Sequence, residues 1–369
     1  MKQVLSWLKK EAVFTIAWVL AIGTAFVVPP DKAYAAYIDW HTLGLLFCLM
    51  TVMAGLQRLG LFKRLGQGLL CRARTARQVE VLLVFLCFVT GCVVTNDVAL
   101  ITFVPFAITV LELSGLEERL IPVVVMQTVA ANLGSMLTPI GNPQNLYLYA
   151  RSGFGLGQFV AITAPYALLS AVLLALWLCL RKSQPVEAPA GGGEAPLRKL
   201  PCVMYGVLFA VSLGAVAKVV PVWAAAVAVL VVVLAADRAT LLQVDYVLLL
   251  TFAGFFIFVG NMGRMPFFND LFRTLVEGRE VLCGVVTSQV ISNVPAALLL
   301  SGFSQNWEGL IVGTNLGGLG TLIASMASLI SYKLAAARLP EKKGRYLAQF
   351  TLANVVFLAV LAGLAIFIN

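Results

Sequence analysis

The chain has 369 residues, of which 60% are hydrophobic and only 12% are charged. Soluble domains carry roughly a quarter charged residues, so this composition excludes a soluble globular protein. Apolar runs of about 17–25 residues recur along the whole chain, and each is long enough to cross a bilayer as a helix. The net charge of +9 does not indicate a nucleic-acid partner, because the Lys and Arg residues lie outside the deep apolar segments and mostly on one predicted side.

The N-terminal stretch at 1–36 has a basic start, an apolar core and an Ala-Tyr-Ala sequence near its end, as a signal peptide does. We interpret it as a retained first helix over about 12–29, because its apolar core is long and the internal repeat requires it. A second helix is predicted over about 41–57. The loop at 58–79 contains six cations, and an excess of Lys and Arg marks cytoplasmic loops. We therefore expect this loop and the N-terminus in the cytoplasm.

The remainder divides around a polar linker at 181–200, which is rich in Gly and Pro and predicted to be flexible and cytoplasmic. The first half, 1–180, contains an apolar segment at about 80–111 that Thr-Asn-Asp interrupts. It also contains a span at about 121–150 that is broken at its centre by Thr-Pro-Ile-Gly-Asn-Pro. These interruptions predict a helical hairpin followed by a broken helix.

The second half follows the same plan. A linking helix at 201–217 precedes residues 218–369, in which Ile-Ser-Asn-Val-Pro interrupts a segment at about 281–303. A glycine-rich stretch then breaks the span at about 308–332, and a last helix covers 346–368. This half again predicts a hairpin and a broken helix.

The halves align with each other in three places and in the same order. Residues 37–62 match 243–268 without gaps, and this match brings Arg58 onto Arg264, both of which we expect to anchor the membrane interface. VTNDVALITF matches ISNVPAALLL, and ANLGSMLTPIGNP matches TNLGGLGTLIASM. Ordered matches of this kind indicate an internal repeat.

The orientation of the halves follows from counting crossings. If each interrupted apolar segment is a re-entrant hairpin, each half crosses four times, and the linking helix adds one crossing that inverts the second half. This topology places the cationic loops at 58–79, 181–199 and 333–345 on the cytoplasmic side. We therefore predict an all-α polytopic membrane protein with two inverted repeats, each with a re-entrant hairpin and a broken helix.

The polar interruptions are the candidate functional site. Non-helical backbone at membrane depth is tolerated only where protein buries it or where it lines a cavity. Paired broken segments in inverted repeats are typical of secondary transporters with a site at the midplane. Helix packing is the alternative role for any one small or polar residue. The candidate substrate- and ion-binding residues are Thr95, Asn96, Asp97, Asn132, Gly134, Thr138, Pro139, Asn142, Ser292, Asn293, Pro295, Thr314, Asn315, Gly317 and Thr321.

Asp97 is the one acidic residue deep inside an apolar segment, and intramembrane carboxylates are functional candidates. It could bind Na⁺, with Asn96 and Asn293 as further candidate ligands, or carry a proton. Its alternative role is to cap a helix that restarts at Val98. The sequence contains no HExxH, GxSxG or Cys–His motif, so we expect no enzyme activity and no cofactor other than Na⁺ as a coupling ion.

TNDVALITFVPF, ANLGSMLTPIGNPQNL, SNVPAALL and GTNLGG resemble the ion transporter superfamily, which includes arsenite-efflux permeases, NhaD-type sodium–proton antiporters, citrate transporters and divalent anion–sodium symporters. The resemblance implies a homodimer in the inner (plasma) membrane, with a scaffold part and a transport part that moves as an elevator. In the dicarboxylate symporters both tips carry Ser-Asn-Thr, which binds Na⁺ and the carboxylate. Here 95–97 read Thr-Asn-Asp and 292–294 read Ser-Asn-Val, which favours the arsenite and antiporter branches.

The leading hypothesis is a secondary active transporter, coupled to Na⁺ or H⁺, that moves a small carboxylate or oxyanion. The alternatives are a Na⁺/H⁺ antiporter, an arsenite-type efflux permease and, least favoured, a channel. The expected partners are a small anionic substrate, the lipid bilayer and a second copy of the chain, without nucleic acid.

Overall fold

The computed structural model describes residues 11–70, 73–186 and 199–368, so most of the predicted linker at 181–200 lies outside the described residues. Within this part, the regular structure is helical apart from one isolated bridge between Thr75 and Pro185. Nine of the described helical segments are long and apolar enough to cross a membrane. The protein is therefore a multi-pass, all-α membrane protein.

The helices of the first half follow the predicted segments closely. The second helix was expected over about 41–57 and the first hairpin over about 80–111, and each extends slightly further. The helices are α1 Ala12–Ala25, α2 Ala33–Tyr37, α3 Trp40–Arg58, α4 Leu61–Leu70, α5 Ala76–Val93, α6 Asn96–Leu113, α7 Leu120–Gly134, α8 Pro143–Ser152 and α9 Leu156–Cys179.

The helices of the second half repeat this order after the linking helix α10. Helix α11 corresponds to α1, and α12 to α18 correspond to α3 to α9. The helices are α10 Lys199–Val216, α11 Val222–Leu241, α12 Tyr246–Gly263, α13 Pro266–Val276, α14 Glu280–Ile291, α15 Asn293–Leu300, α16 Trp307–Leu316, α17 Met326–Arg338 and α18 Lys343–Ile368.

The contacts between helices are also paired. Helix α5 packs on α7 as α14 packs on α16, and α3 packs on α11 as α12 packs on α1. The halves interlock, because α6 packs on α17 of the other half and α15 packs on α8. The predicted inversion of one half relative to the other, and re-entry of the hairpins, stay predictions.

Short caps explain why several helices begin where they do. Asp39 accepts a hydrogen bond from the N–H of Thr42 at the start of α3 (3.0 Å), and Asp245 accepts one from the N–H of Leu248 at the start of α12 (2.9 Å). An acceptor at the N-cap satisfies one of the free N–H groups of the first turn. The aligned acids of the two halves therefore have the same local role.

The base of the first hairpin carries a buried ion cluster. Glu80, in the second turn of α5, is fully buried. Its carboxylate forms ion pairs with Arg119 (3.1 Å) and Arg181 (3.3 Å). A buried carboxylate is unfavourable unless a cation pairs with it. The two ion pairs therefore hold the segment before α7 and the end of α9 against α5. In the second hairpin, Glu280 is buried at the start of α14 and accepts from Ser304 and Asn306.

Candidate functional site

The tip of the first hairpin is a two-residue break between α5 and α6. Thr95 is the N-cap of α6, and its hydroxyl accepts from the N–H of Val98 (3.4 Å). Asp97 lies in the first turn of α6, where its N–H donates to Oδ1 of Asn96 (2.9 Å). The alternative role of Asp97 as a cap at Val98 is therefore wrong, because the helix restarts at Asn96 and Thr95 caps it.

Asn132 is the centre of a polar network at the end of α7. Its Oδ1 accepts from Nδ2 of Asn96 (3.0 Å) and from the hydroxyl of Ser325 (3.0 Å). Its Nδ2 donates to the hydroxyl of Ser328 (3.0 Å). One carboxamide thus joins the first hairpin tip, the first broken helix and the second broken helix.

The tip of the second hairpin contacts the same region from the other half. The N–H of Asn293 donates to the carbonyl oxygen of Ala324 (2.9 Å), and the Ser292 hydroxyl donates to the same oxygen (3.4 Å). Ser292 has φ 75° and ψ 155°, a conformation that is strained for any residue other than Gly. Ala324 directly precedes Ser325, so the second tip reaches the Asn132 network through one peptide unit.

Two hydrogen bonds across the halves are equivalent under the repeat. Asn132 Nδ2 donates to Ser328, and Asn315 Nδ2 donates to Oδ1 of Asn145 (2.6 Å). The sequence alignment that matches Asn132 with Asn315 also matches Asn145 with Ser328. In each half, therefore, the asparagine just before the break donates a hydrogen bond to the helix that follows the break of the other half.

The first break is also held by its own side chains. Asn142 Nδ2 donates to the hydroxyl of Ser135, and the Thr138 hydroxyl donates to the carbonyl oxygen of Cys92 in α5. Pro139 begins a buried 3₁₀ turn between Thr138 and Asn142. These contacts fix the non-helical backbone next to the first tip.

Several predicted site residues lie at close helix crossings or bond within their own helix, and substrate or ion binding by them stays a prediction. A Cβ on Gly134 would meet the carbonyl oxygen of Phe88 in α5, and a Cβ on Gly317 would meet the hydroxyl of Ser288 in α14. The Thr314 hydroxyl donates to the carbonyl of its own helix at Leu310 (2.8 Å). Small residues at these crossings allow the hairpin arms to approach the broken helices closely.

Of the two remaining predicted residues, Thr321 lies in the second break and Pro295 lies in the second hairpin. Thr321 is exposed, and its N–H donates to Oε1 of Gln289 in α14 (2.9 Å). Pro295 is buried in the first turn of α15, where its missing N–H leaves no helical bond unmade. Neither joins the Asn132 network in the described part of the protein.

Some buried polar atoms have no hydrogen-bond partner among the described residues. Gln144, in the first turn of α8, is fully buried and neither atom of its carboxamide is paired. Oδ1 of Asn315 is also unpaired. Buried polar atoms are nearly always hydrogen-bonded, so both positions call for a specific explanation.

The charge of the site is concentrated at Asp97. This carboxylate is partly exposed. The network around Asn132 consists of carboxamides, hydroxyls and backbone groups, which are neutral. Among the residues that the structure describes, no group of three or more His, Cys, Asp or Glu side chains could hold a metal ion. Na⁺ binding at Asn96, Asp97 and Asn293 stays a prediction.

Sequence reasoning missed four polar residues of the site: Asn145, Gln289, Ser325 and Ser328. The internal repeat contained the signal for three of them, Asn145, Ser325 and Ser328. Asn142 and Asn145 align with Ser325 and Ser328, so the polar character of both breaks was visible at matched positions. Gln289 donates to the carbonyl oxygens of Gly317 and Leu319, and nothing in the sequence of α14 points to that contact.

The chain matches known proteins over most of its length. The family model for CitMHS, described as citrate transporter, matches residues 4–306. The inner membrane protein YbiR of Escherichia coli is 33% identical over 338 residues, which cover 89% of each chain. An uncharacterised transporter of Methanocaldococcus jannaschii is 27% identical over 89% of this chain and 90% of its own. A silicon efflux transporter of Oryza sativa is 34% identical over 159 residues, 41% of this chain and 32% of its own.

Proposed function

Because this chain belongs to the citrate transporter family, CitMHS, we propose that it is a secondary active transporter that moves a small anion by coupling to Na⁺ or H⁺. Family members that cover this chain almost completely are named as transporters or inner membrane proteins. The proposal places the site at the two hairpin tips and the two helix breaks.

One observation carries the proposal: a continuous series of contacts connects all four polar interruptions. Asn96 of the first tip contacts Asn132, Asn132 contacts Ser325, and Ser325 adjoins the carbonyl that holds Asn293 of the second tip. A set of neutral donors and acceptors at membrane depth costs less than buried charges and can bind an anion and a cation together.

The chemistry of the site suits an anion on the donor side. Helices α6, α8 and α17 each begin at a tip or a break, and the first N–H groups of a helix attract negative charge. Carboxamide and backbone oxygens at the same breaks suit Na⁺, which prefers hard oxygen ligands. In this proposal Asp97 couples the two, since its carboxylate can meet a cation or a proton at the edge of the network.

We further propose that the hairpins and broken helices move together against a scaffold made of α1, α3 and α10–α12, in a homodimer. The hydrogen bonds of Asn132 and Asn315 tie the moving helices of both halves to one another. By contrast, Tyr147 of α8 meets Phe252 and Phe256 of α12 through ring contacts. Apolar surfaces of this kind can slide, and the movement would also break the hydrogen bond from Gln57 of α3 to Thr102 of α6 (3.4 Å).

A second candidate is efflux of a small uncharged oxyacid coupled to proton entry. Two observations favour it: Asp97 beside the first tip disfavours an approaching carboxylate, and one relative is named for silicon efflux. An acid at this position would exchange a proton as substrate leaves.

Transport into proteoliposomes tests the proposal. A panel of a tricarboxylate, a dicarboxylate, phosphate, arsenite and silicic acid would be measured with imposed Na⁺ and pH gradients. We expect one class to accumulate against its gradient only when a cation gradient is present. Movement of none under any gradient, or equal movement without one, would contradict the proposal.

Two variants make this experiment sharper. Asn132→Ala removes the amide that joins the tips and should abolish transport. Ser170→Ala removes only a hydroxyl bonded to the carbonyl oxygen of Tyr166 in its own helix α9, and should leave transport within about twofold, because such a bond contributes about 1 kcal/mol or less. Asp97→Asn should retain substrate binding and lose the dependence on the coupling gradient. If Asp97→Asn keeps that dependence, coupling resides elsewhere.

A further inference from the structure

A groove of about 320 Å³ lies between α7, α9 and α18, all of which belong to predicted membrane spans. Its walls are apolar over most of their length and include Val125, Trp177, Ala353 and Phe357. Ala353 and Phe357 lie four residues apart on α18, so they share one face of that helix. The groove is therefore a long apolar slot on the side of the helix bundle.

One end of the groove is polar. Arg181, which follows α9, lines this end together with Gln349, in the second turn of α18. The guanidinium of Arg181 lies over the Trp177 ring at 5.2 Å from its centroid, so it faces the mouth of the slot. The charge pattern of the loops predicts that this end faces the cytoplasm.

This end of the groove has more guanidinium groups than carboxylates that pair with them. Arg181 and Arg119 share the single carboxylate of Glu80. Arg77 donates two hydrogen bonds to the carbonyl oxygen of Arg181 (2.8 and 3.1 Å), which brings a third guanidinium without a further carboxylate. The nearby Glu117 and Glu118 are exposed and form no ion pair with these arginines among the described residues.

A fourth cation flanks the same end from the other side. Arg345 lies one turn before Gln349 on α18 and so on the same helix face. It is exposed, and it has no ion pair in the described part of the chain. The mouth of the groove therefore has guanidinium groups on both the α9 side and the α18 side.

We propose that this groove binds an anionic phospholipid of the cytoplasmic leaflet, with one acyl chain along the apolar slot and the phosphate between Arg181 and Arg345. Basic pockets between membrane helices on the cytoplasmic side suit anionic head groups, and each nearby cation adds to the attraction. A zwitterionic lipid also carries a cationic group, which the arginines at the mouth repel, so it binds there less tightly. The bound lipid joins α7 and α9 of the first half to α18 of the second.

Native mass spectrometry of the purified full-length protein tests this with phosphatidylglycerol and phosphatidylcholine of equal chain length. We expect preferential retention of phosphatidylglycerol. Arg345→Gln should weaken its binding about fivefold, because one cation near the surface contributes on that scale. Ala353→Phe should abolish it by filling the slot. Arg238→Gln is the matched control, since Arg238 is an exposed arginine on α11, a helix that does not line the groove, and it should change nothing.

The proposal fails if the two lipids bind equally, or if Arg345→Gln behaves like Arg238→Gln. It also fails if Ala353→Phe retains the lipid, because the chain would then lie elsewhere. Displacement of the lipid by millimolar inorganic phosphate would show a site for free anions instead. Loss of a dimer in Ala353→Phe would show that a second copy of the protein covers the groove.

Discussion

Arg58 at the end of α3 forms an ion pair with Asp237 of α11, with 2.8 Å between Nη1 and Oδ1. The same relationship joins Arg264, after α12, to Asp31, after α1, again at 2.8 Å. The match of residues 37–62 with 243–268 makes the two arginines equivalent, and its extension by six residues upstream without a gap pairs Asp31 with Asp237. Each half thus contributes the cation of one pair and the anion of the other, which ties α3 to α11 and α12 to the segment after α1. The arginines that we expected to anchor the membrane interface also connect the halves.

The two pairs are predicted to differ in their contribution to stability. Asp237 accepts from Arg58, from the Tyr205 hydroxyl (3.0 Å) and from Thr240 (2.8 Å), whereas Asp31 is more exposed. Asp237→Asn should lower the free energy of unfolding by about 1–2 kcal/mol, and Asp31→Asn should lower it by less, because water screens the more exposed pair. Thermal unfolding of the detergent-solubilised variants measures the difference. Equal losses would show that the added partners of Asp237 contribute nothing.

The contribution of the Arg264–Asp31 ion pair to stability should also depend on pH in a defined direction. A hydrogen bond from Arg264 holds the pKa of the Asp31 carboxyl below its ordinary value of 3.8. A lowered pKa in the folded state means that the pair stabilises above the ordinary pKa and is lost as pH falls through the lowered one. The difference in melting temperature between wild type and Asp31→Asn should therefore stay constant from about pH 8 to about pH 5 and shrink as the pH falls below the ordinary pKa of 3.8. A difference that grows on acidification would contradict this assignment.

A substitution at Gly134 tests whether α5 of the first hairpin must pack tightly against α7. A Cβ at this position would overlap the carbonyl oxygen of Phe88, and backbone atoms cannot move aside as a flexible side chain can. Gly134→Ala should therefore cost about 3 kcal/mol or more, or prevent folding. Gly157→Ala in α9 is the control, because no atom lies within 4 Å of its Cβ position. The yield of monodisperse protein and its melting temperature compare the two variants, and equal behaviour would exclude tight packing at Gly134.

Features that depend on neighbouring residues could be predicted from the sequence. The aligned Asp39 and Asp245 both cap their helices, and Thr95 and Ser292 both lie at breaks between helical arms. A long apolar run in a membrane forms a helix, and a polar interruption in such a run marks a break in the helix. The local residues therefore determined the order of the elements and the positions of both tips.

Features that depend on partners far along the chain could not be predicted in this way. Ser325 and Ser328 contact Asn132 because two broken helices cross, and a serine in an apolar segment usually indicates close packing. The sequence offers capping at Val98 as an alternative role for Asp97, because Asp is a good cap, and only the backbone at the tip shows that Thr95 is the cap. The packing of α5 against α7 sets that backbone.

Gln144 is the position where a structural role and a transport role can be separated. It is fully buried at the start of α8, and neither atom of its carboxamide has a partner among the described residues. Gln127 of α7 is equally buried, but its Nε2 donates to the carbonyl oxygens of Leu83 and Phe103. The two glutamines therefore form a matched pair in which only one has a structural hydrogen bond to lose.

We predict opposite effects of the same substitution at these positions. Gln127→Leu should lower the free energy of unfolding by about 1–3 kcal/mol, because two carbonyls lose a donor, and should affect transport only through stability. Gln144→Leu should leave the melting temperature unchanged or raise it, because an unpaired buried amide is replaced by an apolar group of similar volume. If the amide of Gln144 meets the transported anion or its coupling ion, Gln144→Leu should nevertheless raise the KM for transport at least tenfold. A stable Gln144→Leu protein with wild-type KM would place Gln144 outside the transport path.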